Sequence, residues 1–505
     1  TLLSMSAPQH LLSALGMNDH APSNKKPILS LIIGDGNDDD DDDDDDELPS
    51  TLQSLTYGKW FNNDIYPGYL PESLTLLRFG KMYNRPLVVG MLPDALKTLA
   101  FGSHFNQMIE VGVLPQSLKR LTFGKRFNQT LAAGMLPGSL EYLGFEGEYD
   151  QPFESDTLPQ SLQTLRFSEM YNLPLNIANL PASMTTLDTV DILDPASLPP
   201  SITTLSLRSV PTPQCNFPNP RLTTLLFRER YRFGGHHDMV INDPVPDRLP
   251  DSITCLHLNS KFSQPLVAGY LPNSILHLSN FYNGDHPLLI GALPSRLRSL
   301  WFSPDFNLPI ESGVLPINLT SLQFGLNFNQ RLVPGILPPS LEILDLGYSY
   351  DQELTAGALP PSLTHLTLSK DLKDTDVVLP NSIKHLDMIT NRNINIINAL
   401  ASSIEEVTVI YYHVRDLEQD HEMSGVCGVA LSVFNATLMG DFNLCSPGIT
   451  PAMHSFQTFS RLFPNVQTYN FIINRDQEPG IFKRIDDTTI LHLSPKGRVY
   501  FMSIK

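Results

Sequence analysis

Two small groups of metal-ligating or nucleophilic side chains, and a set of recognition side chains, are the places where this chain offers chemistry. His236, His237 and Asp238 stand in a row, and imidazoles with a carboxylate make a zinc donor set. Adjacent side chains of an extended segment point to opposite faces, however, and no third ligand follows at helical or hairpin spacing, so the run reads as an exposed polar loop. Cys427 and Cys445 offer thiols, but a nucleophilic cysteine needs an activating neighbour. Cys427-Gly428-Val429 and Cys445-Ser446-Pro447 supply none, which reads as two buried structural cysteines. No G-x-S-x-G, H-E-x-x-H, P-loop or G-x-G-x-x-G element occurs, and Gly234-Gly235 leads into neither a lysine nor a helix. The expectation is no catalytic residue, no cofactor and no metal. What remains is recognition: guanidinium groups at Arg78, Arg120 and Arg166, the amide of Gln323, and the rings of Trp301, His365 and His385, residue types suited to anchoring a partner.

A repeat positions these seven. Leu-Pro recurs at Leu48, Leu70, Leu92, Leu114, Leu136, Leu158 and Leu180, 22 residues apart each time, and again at Leu249, Leu271, Leu293, Leu315, Leu337 and Leu359. A full unit reads LPQSLKRLTFGKRFNQTLAAGM from Leu114. Leu118, Leu121 and Phe123 give L-x-x-L-x-F, whose last two members share one face of a short strand. Such a strand is too short to stand alone, so the reading is a leucine-rich-repeat-like solenoid. A parallel β-sheet lines one face, short turns or irregular backbone form the other, and Leu114, Phe127 and Leu131 fill the interior. Pro115 stops helix at the strand entrance, and Gly124 and Gly134 are expected to adopt turn conformations closed to other residues. Asn128, with Asn62, Asn84, Asn106, Asn172, Asn307 and Asn329 at the same place, is expected to turn inward and form an amide ladder between coils.

The departures divide the chain. Residues 1–47 lack pattern and read as a disordered segment carrying the run Asp38 to Asp46. The repeats occupy 48–400 and are irregular at 180–248, where 228–248 reads as an insertion loop. In the unit from Leu271, Tyr282-Asn283 comes two residues early. From 401 to 505 the residues read as a small α+β capping domain: a strand in EEVTVIYYHV, a helix around 454–463, strands near 469–474, 481–493 and 498–504, and a hairpin turn at Ser494-Pro495-Lys496-Gly497.

Within the repeats, the two residues flanking the second strand leucine point away from the core. All seven recognition residues fall there, on an outer sheet face on the order of 80 Å long at ~4.8 Å per strand. Those positions vary from unit to unit while the inward ones hold, as a binding surface permits and a packed interior forbids.

The unit L-P-x-S-L-x-x-L-x-F-G-x-x-F-N-Q-x-L, at Leu114–Leu131 and, with Asn318 for the serine, at Leu315–Leu332, resembles the FNIP repeat. That family is grouped with leucine-rich repeats and is known mostly from social amoebae and large amoeba viruses. The resemblance covers roughly 48–400. Phe306-Asn307-Leu308-Pro309 and Tyr171-Asn172-Leu173-Pro174 come closest to the Phe-Asn-Ile-Pro core, while Asn128-Gln129-Thr130 lacks the proline. Some members of the family resemble ubiquitin-ligase substrate adaptors with an F-box before the repeats. Residues 1–47 have too few apolar positions in helical spacing for one, and the sequence before Thr1 is where it would lie. Bacterial effector ligases also join Leu-Pro repeats to a cysteine domain, but their Cys-x-Asp motif is missing from both tail cysteines.

Charge and composition narrow the class further. The Asp run with Glu47 carries ten of the −19 charges, so the remainder is mildly acidic, which disfavours nucleic acid and favours a protein partner. Four cysteines without CxxC spacing fit a reducing, cytoplasmic compartment. No apolar run of membrane-spanning length occurs, and the oligomeric state is open. The functional expectation is a non-catalytic protein-interaction scaffold, with the ubiquitin-ligase adaptor as the alternative.

Overall fold

The computed structural model describes residues 2–5, 29–33, 48–168, 170–171, 173, 175–189, 197–207, 217–227, 249–258, 262, 265–282, 286–369, 379–388, 404–411, 433–438, 468–473, 480–484, 489–493 and 499–503. The chain forms two compact units, Thr1–Met239 with Asp243–Ile253, and Val240–Asn242 with Thr254–Lys505. Both are parallel β-solenoids. In the first, three- and four-residue strands from Ser54–Tyr57 to Thr224–Phe227 pair in register, so that Leu55, Leu77, Leu99, Leu121, Leu143, Leu165, Leu187, Leu205 and Leu225 lie side by side. In the second, Leu256, Leu278, Leu300, Leu322, Leu344, Leu366 and Leu386 do the same. A fixed repeat length puts each leucine one strand spacing from its copy, which buries both. A short helical turn, Ile177–Asn179, is capped by Asn176.

Behind the sheet run two columns of rings. Phe79, Phe101, Phe123 and Phe145 stack at 5.5 Å between centroids. Deeper in, Tyr83, Phe105, Phe127 and Tyr149 stack at 6.0–6.2 Å. The two rings of one unit lie face to face at about 3.9 Å, as in Phe101–Phe105. These spacings are those of offset aromatic stacks, and they grow with distance from the sheet. The first unit is therefore wedge-shaped, narrowest at the sheet. As expected, Leu114, Phe127 and Leu131 are buried, at 2%, 0% and 1% exposed.

Polar ladders tie the coils together as well. The backbone N–H of Asn84, Asn106, Asn128 and Asp150 donates to Oδ1 of the asparagine one unit earlier at 2.9 Å, and Asn329 and Asp351 repeat this in the second unit. Gln129 and Gln330 add side-chain bonds to the same oxygens. The ladder is the expected one, but its asparagines are half-buried or exposed. They serve carbonyl-like acceptors to the next coil at the surface, where no core volume is spent on an amide. Asn172 lies outside the described residues. A second ladder uses the serine of L-P-x-S-L. Ser73, Ser117, Ser161 and Ser183 donate at 2.6–2.7 Å to Leu52, Leu96, Leu140 and Leu162 of the preceding coil, and Ser340, Ser362 and Ser382 do likewise to Leu319, Leu341 and Leu363.

The glycines divide into two kinds. Gly134 has φ +83° in a turn closed by the Met135 N–H donating to the Ala132 carbonyl, as expected. Gly124 does not adopt such a conformation. A Cβ on it would lie 2.1 Å from the Gly102 carbonyl oxygen, and one on Gly102 would lie 1.9 Å from that of Gly80. The requirement there is the closeness of the coils, which corrects the turn reading of Gly124.

Irregularities in sequence become local adjustments. Phe281 pairs with Phe302 only because the register shifts after Leu278, and Tyr282 takes φ +64°. The neighbouring ring pairs tilt by 46–64°. The early Tyr282 is thus absorbed by a bulge. The segment 1–47 is not wholly patternless: Ser30–Ile33 pairs in parallel with Ser54–Tyr57 and with Leu2–Met5, because alternating apolar residues bury Leu31 against the next coil. The Asp run and the 228–248 insertion, with His236, His237 and Asp238, lie outside the described residues.

In the tail, Glu406–Tyr411, Val433–Leu438 and Thr468–Ile473 extend the parallel ladder from His385–Met388. β-branched strands suffice for that pairing without the Leu-Pro step. Gly480–Arg484, Thr489–Leu493 and Val499–Ser503 then pair antiparallel, so the stretch read as one strand at 481–493 is two. The 454–463 helix, the 494–497 turn, Cys427 and Cys445 fall outside the described residues.

Two stability outcomes follow from this packing. Gly102→Ala should cost more than the ~1–3 kcal/mol usual for overpacking, since the clash is with backbone, whereas Gly134→Ala should cost ~1–2 kcal/mol for its left-handed conformation; denaturant unfolding of both variants measures the order. Burial raises the hydroxyls of Tyr171 and Tyr350 from 10.0 to about 12, and those of Tyr83 and Tyr149 further. Acids with raised folded values stabilise fully below pH ~10 and lose that contribution as pH climbs through ~12. The Tm should fall over that window. Replacing these four with the phenylalanine found at Phe105, Phe127, Phe306 and Phe328 should make the fall shallower without lowering the Tm at neutral pH.

Candidate functional site

The outer sheet face is made by alternation: along each strand the central leucine points in and its two neighbours point out. In the first unit this sets Arg78, Arg120 and Arg166 on one face. Arg78 is exposed and engages no partner among the described residues. The Arg120 guanidinium lies 4.0 Å from the centre of the Tyr142 ring, its in-register neighbour, a cation–π contact. Arg166 Nε is 3.5 Å from Asp188 Oδ2, and the Asp188 side chain is only 3% exposed. The pairing compensates a buried carboxylate. Tyr142 and Asp188 were not among the expected site residues. The signal for them is their register position, 22 residues after Arg120 and Arg166.

In the second unit Trp301, 49% exposed, sits beside Gln323 in register. Neither side chain has a hydrogen-bond partner among the described residues. The next column holds Ile343, His365, His385 and Glu406 on consecutive strands. The His365 and His385 rings stack at 4.2 Å with 9° between planes, and His385 Nδ1 lies 3.1 Å from Glu406 Oε2. Burial, then the neighbouring His385, pushes the His365 imidazole below its usual range. Burial pushes the carboxyls of Asp345 and Asp387 up. The first unit thus presents cations and the second an aromatic, amide, imidazole and carboxyl set. Three of the seven expected residues, Arg78, Trp301 and Gln323, have no side-chain partner among the described residues; Arg120, Arg166, His365 and His385 are held by neighbours.

No group of three or more His, Cys, Asp or Glu poised for a metal occurs among the described residues, nor a helix long and apolar enough to cross a membrane. Cys255 carries a free thiol, pushed up by burial.

Comparison with known proteins now adds to the geometry. The family described as FNIP Repeat matches 44–82, 83–126, 105–148, 127–170, 149–188, 242–279, 282–327 and 328–371, together more than half of the chain. Among solved structures, CroV588, described as a novel circular LRR protein, aligns with TM-score 0.54 and 29% identity over 88% of this chain. This chain spans 66% of that protein's length, just under two thirds. The functional domain of InlJ from Listeria monocytogenes, described as including a cysteine ladder, aligns over 82% of this chain and 86% of its own at 12% identity and TM-score 0.30, too distant to carry an argument. No curated protein matches the sequence.

The two arginines make the electrostatic account testable. Arg166→Ala should destabilise by about 1–3 kcal/mol because it removes the cation facing the buried Asp188 carboxylate, while Arg78→Ala should change stability by less than about 0.5 kcal/mol; urea unfolding of both distinguishes them.

Proposed function

The chain belongs to the FNIP repeat family, and from that premise we propose that it is a non-catalytic scaffold that binds a protein partner through the outer face of its repeat sheet. The observation that carries the reading is the contrast between the two sides of each strand. Inward positions repeat leucine and phenylalanine, whereas outward ones change from unit to unit and include the exposed Trp301, Arg78 and Gln323, which have no side-chain partner among the described residues. A rigid sheet presents such side chains at little entropic cost to binding, and leucine-rich solenoids generally use their repeat surfaces in this way. The closing antiparallel strands of residues 480–503 serve as the cap of the array in this reading, and the free Cys255 suits a reducing, cytoplasmic setting. The adaptor alternative rests on the family resemblance alone, with no described residue to carry it, so the scaffold is preferred.

The test uses the full chain as bait in extract from the cells that express it, with cross-linking to retain weak complexes. Arg78→Glu combined with Trp301→Glu should remove the captured partner, each change costing about 2 kcal/mol if it is an anchor, while the Tm stays within about 1 °C of the parent's by the stability argument above. Undiminished capture by the double variant would show that the sheet face is not the site.

A further inference from the structure

The serine ladder breaks at two successive units. Where Ser73, Ser117, Ser340 and Ser362 place a hydroxyl that donates to the preceding coil, Arg296 and Asn318 stand instead on consecutive units, as Ala95 and Arg221 do singly elsewhere. The serine bond to the preceding coil is lost at Arg296 and replaced by a side-chain amide bond at Asn318, and beside them lies a concavity of about 620 Å³ lined by Leu276, Arg296, Arg298, Asn318, Thr320 and Ser340. Both arginines are exposed, and neither side chain has an ion pair or hydrogen bond among the described residues. No carboxylate lines the concavity. In a chain with net charge −19, two neighbouring guanidiniums without a counter-charge are out of keeping with the surroundings.

The remaining walls are already committed. Thr320 Oγ1 donates to the Arg298 carbonyl at 3.1 Å, Ser340 Oγ to the Leu319 carbonyl at 2.7 Å, and Asn318 Nδ2 to the Ser295 carbonyl at 3.1 Å. The unspent donors are therefore the two guanidinium forks and the second N–H of Asn318. Ten N–H groups from two forks exceed what a single carboxylate can accept, and they match the three oxygens and near-double charge of a phosphate monoester.

We propose that this concavity is a phosphate-binding site, in which Arg296 and Arg298 grip the oxyanion and Asn318 donates a further hydrogen bond. The ligand is a phosphate group, either free or carried on a partner's side chain. The proposal uses neither Arg78 nor Trp301, so it stands or falls independently of the sheet-face reading.

Isothermal titration of the full chain at low ionic strength, where screening is least, is the test. The probes are inorganic phosphate, a phosphoserine peptide, and the same peptide without phosphate. Both phosphate probes should bind and the bare peptide should not. Arg296→Ser, which restores the serine of the other units, and Arg298→Ser should each weaken binding about tenfold or more. The Arg296→Ser chain should keep or raise the parental Tm, which excludes misfolding as the cause. A phosphopeptide that binds more tightly than free phosphate assigns the ligand to a partner, and equal affinities assign it to the free anion. Absence of heat with either phosphate probe, or unchanged affinity in both variants, overturns the proposal.

Discussion

Everything in this molecule depends on how closely one coil can approach the next. A three-residue strand with one inward leucine cannot shelter that leucine by itself. Shelter comes when a copy arrives one strand spacing away, and that distance is enforced at Gly80, Gly102 and Gly124, where a Cβ would strike backbone. The stacked rings, the asparagine ladder and the serine hydroxyls all act across this gap, each adding a bond or a contact that exists only between units. Polar ladders flank the apolar interior, so the peptide groups outside the sheet gain partners without polar atoms being driven into the core.

That constraint frees the outward residues. With register, spacing and burial fixed from inside, most outward positions of the strands are free to vary, the buried Asp188 and Ser206 being exceptions, and chemistry collects there. The first unit places guanidiniums over a tyrosine ring and a buried carboxylate, and the second places a half-exposed tryptophan, stacked imidazoles and desolvated carboxyls. The break at Arg296 and Asn318 is another form of the same freedom, exercised on the flank of the strands where Arg296 lacks the serine bond and Asn318 replaces it with an amide.

The solenoid was legible because its cause is periodic. Leu-Pro at a 22-residue step fixed the strand positions, the inward leucines and the outward seven, and the Phe-Asn pair marked the inner ring column and the asparagine ladder. What escaped was whatever depends on separations between coils. Gly124 has the composition of a turn but the role of a contact. The serine of L-P-x-S-L was visible in most full units, yet its meaning needs the carbonyl of the coil before it. Asp188 and Tyr142 become partners of Arg166 and Arg120 only through register. In the tail, the parallel ladder runs on without the Leu-Pro mark, because backbone pairing asks only for extended, β-branched residues.

The bulge beside Phe281 and Tyr282 has a consequence for how the array comes apart. In a linear stack each coil is stabilised by its two neighbours alone, so the weakest junction sets where cooperativity ends. Rings on both sides of Tyr282 are canted against one another, so this coil meets its neighbours without the offset ring stacking found at Phe101 or Phe324. Its hold on them rests on strand pairing and buried aliphatic contact instead.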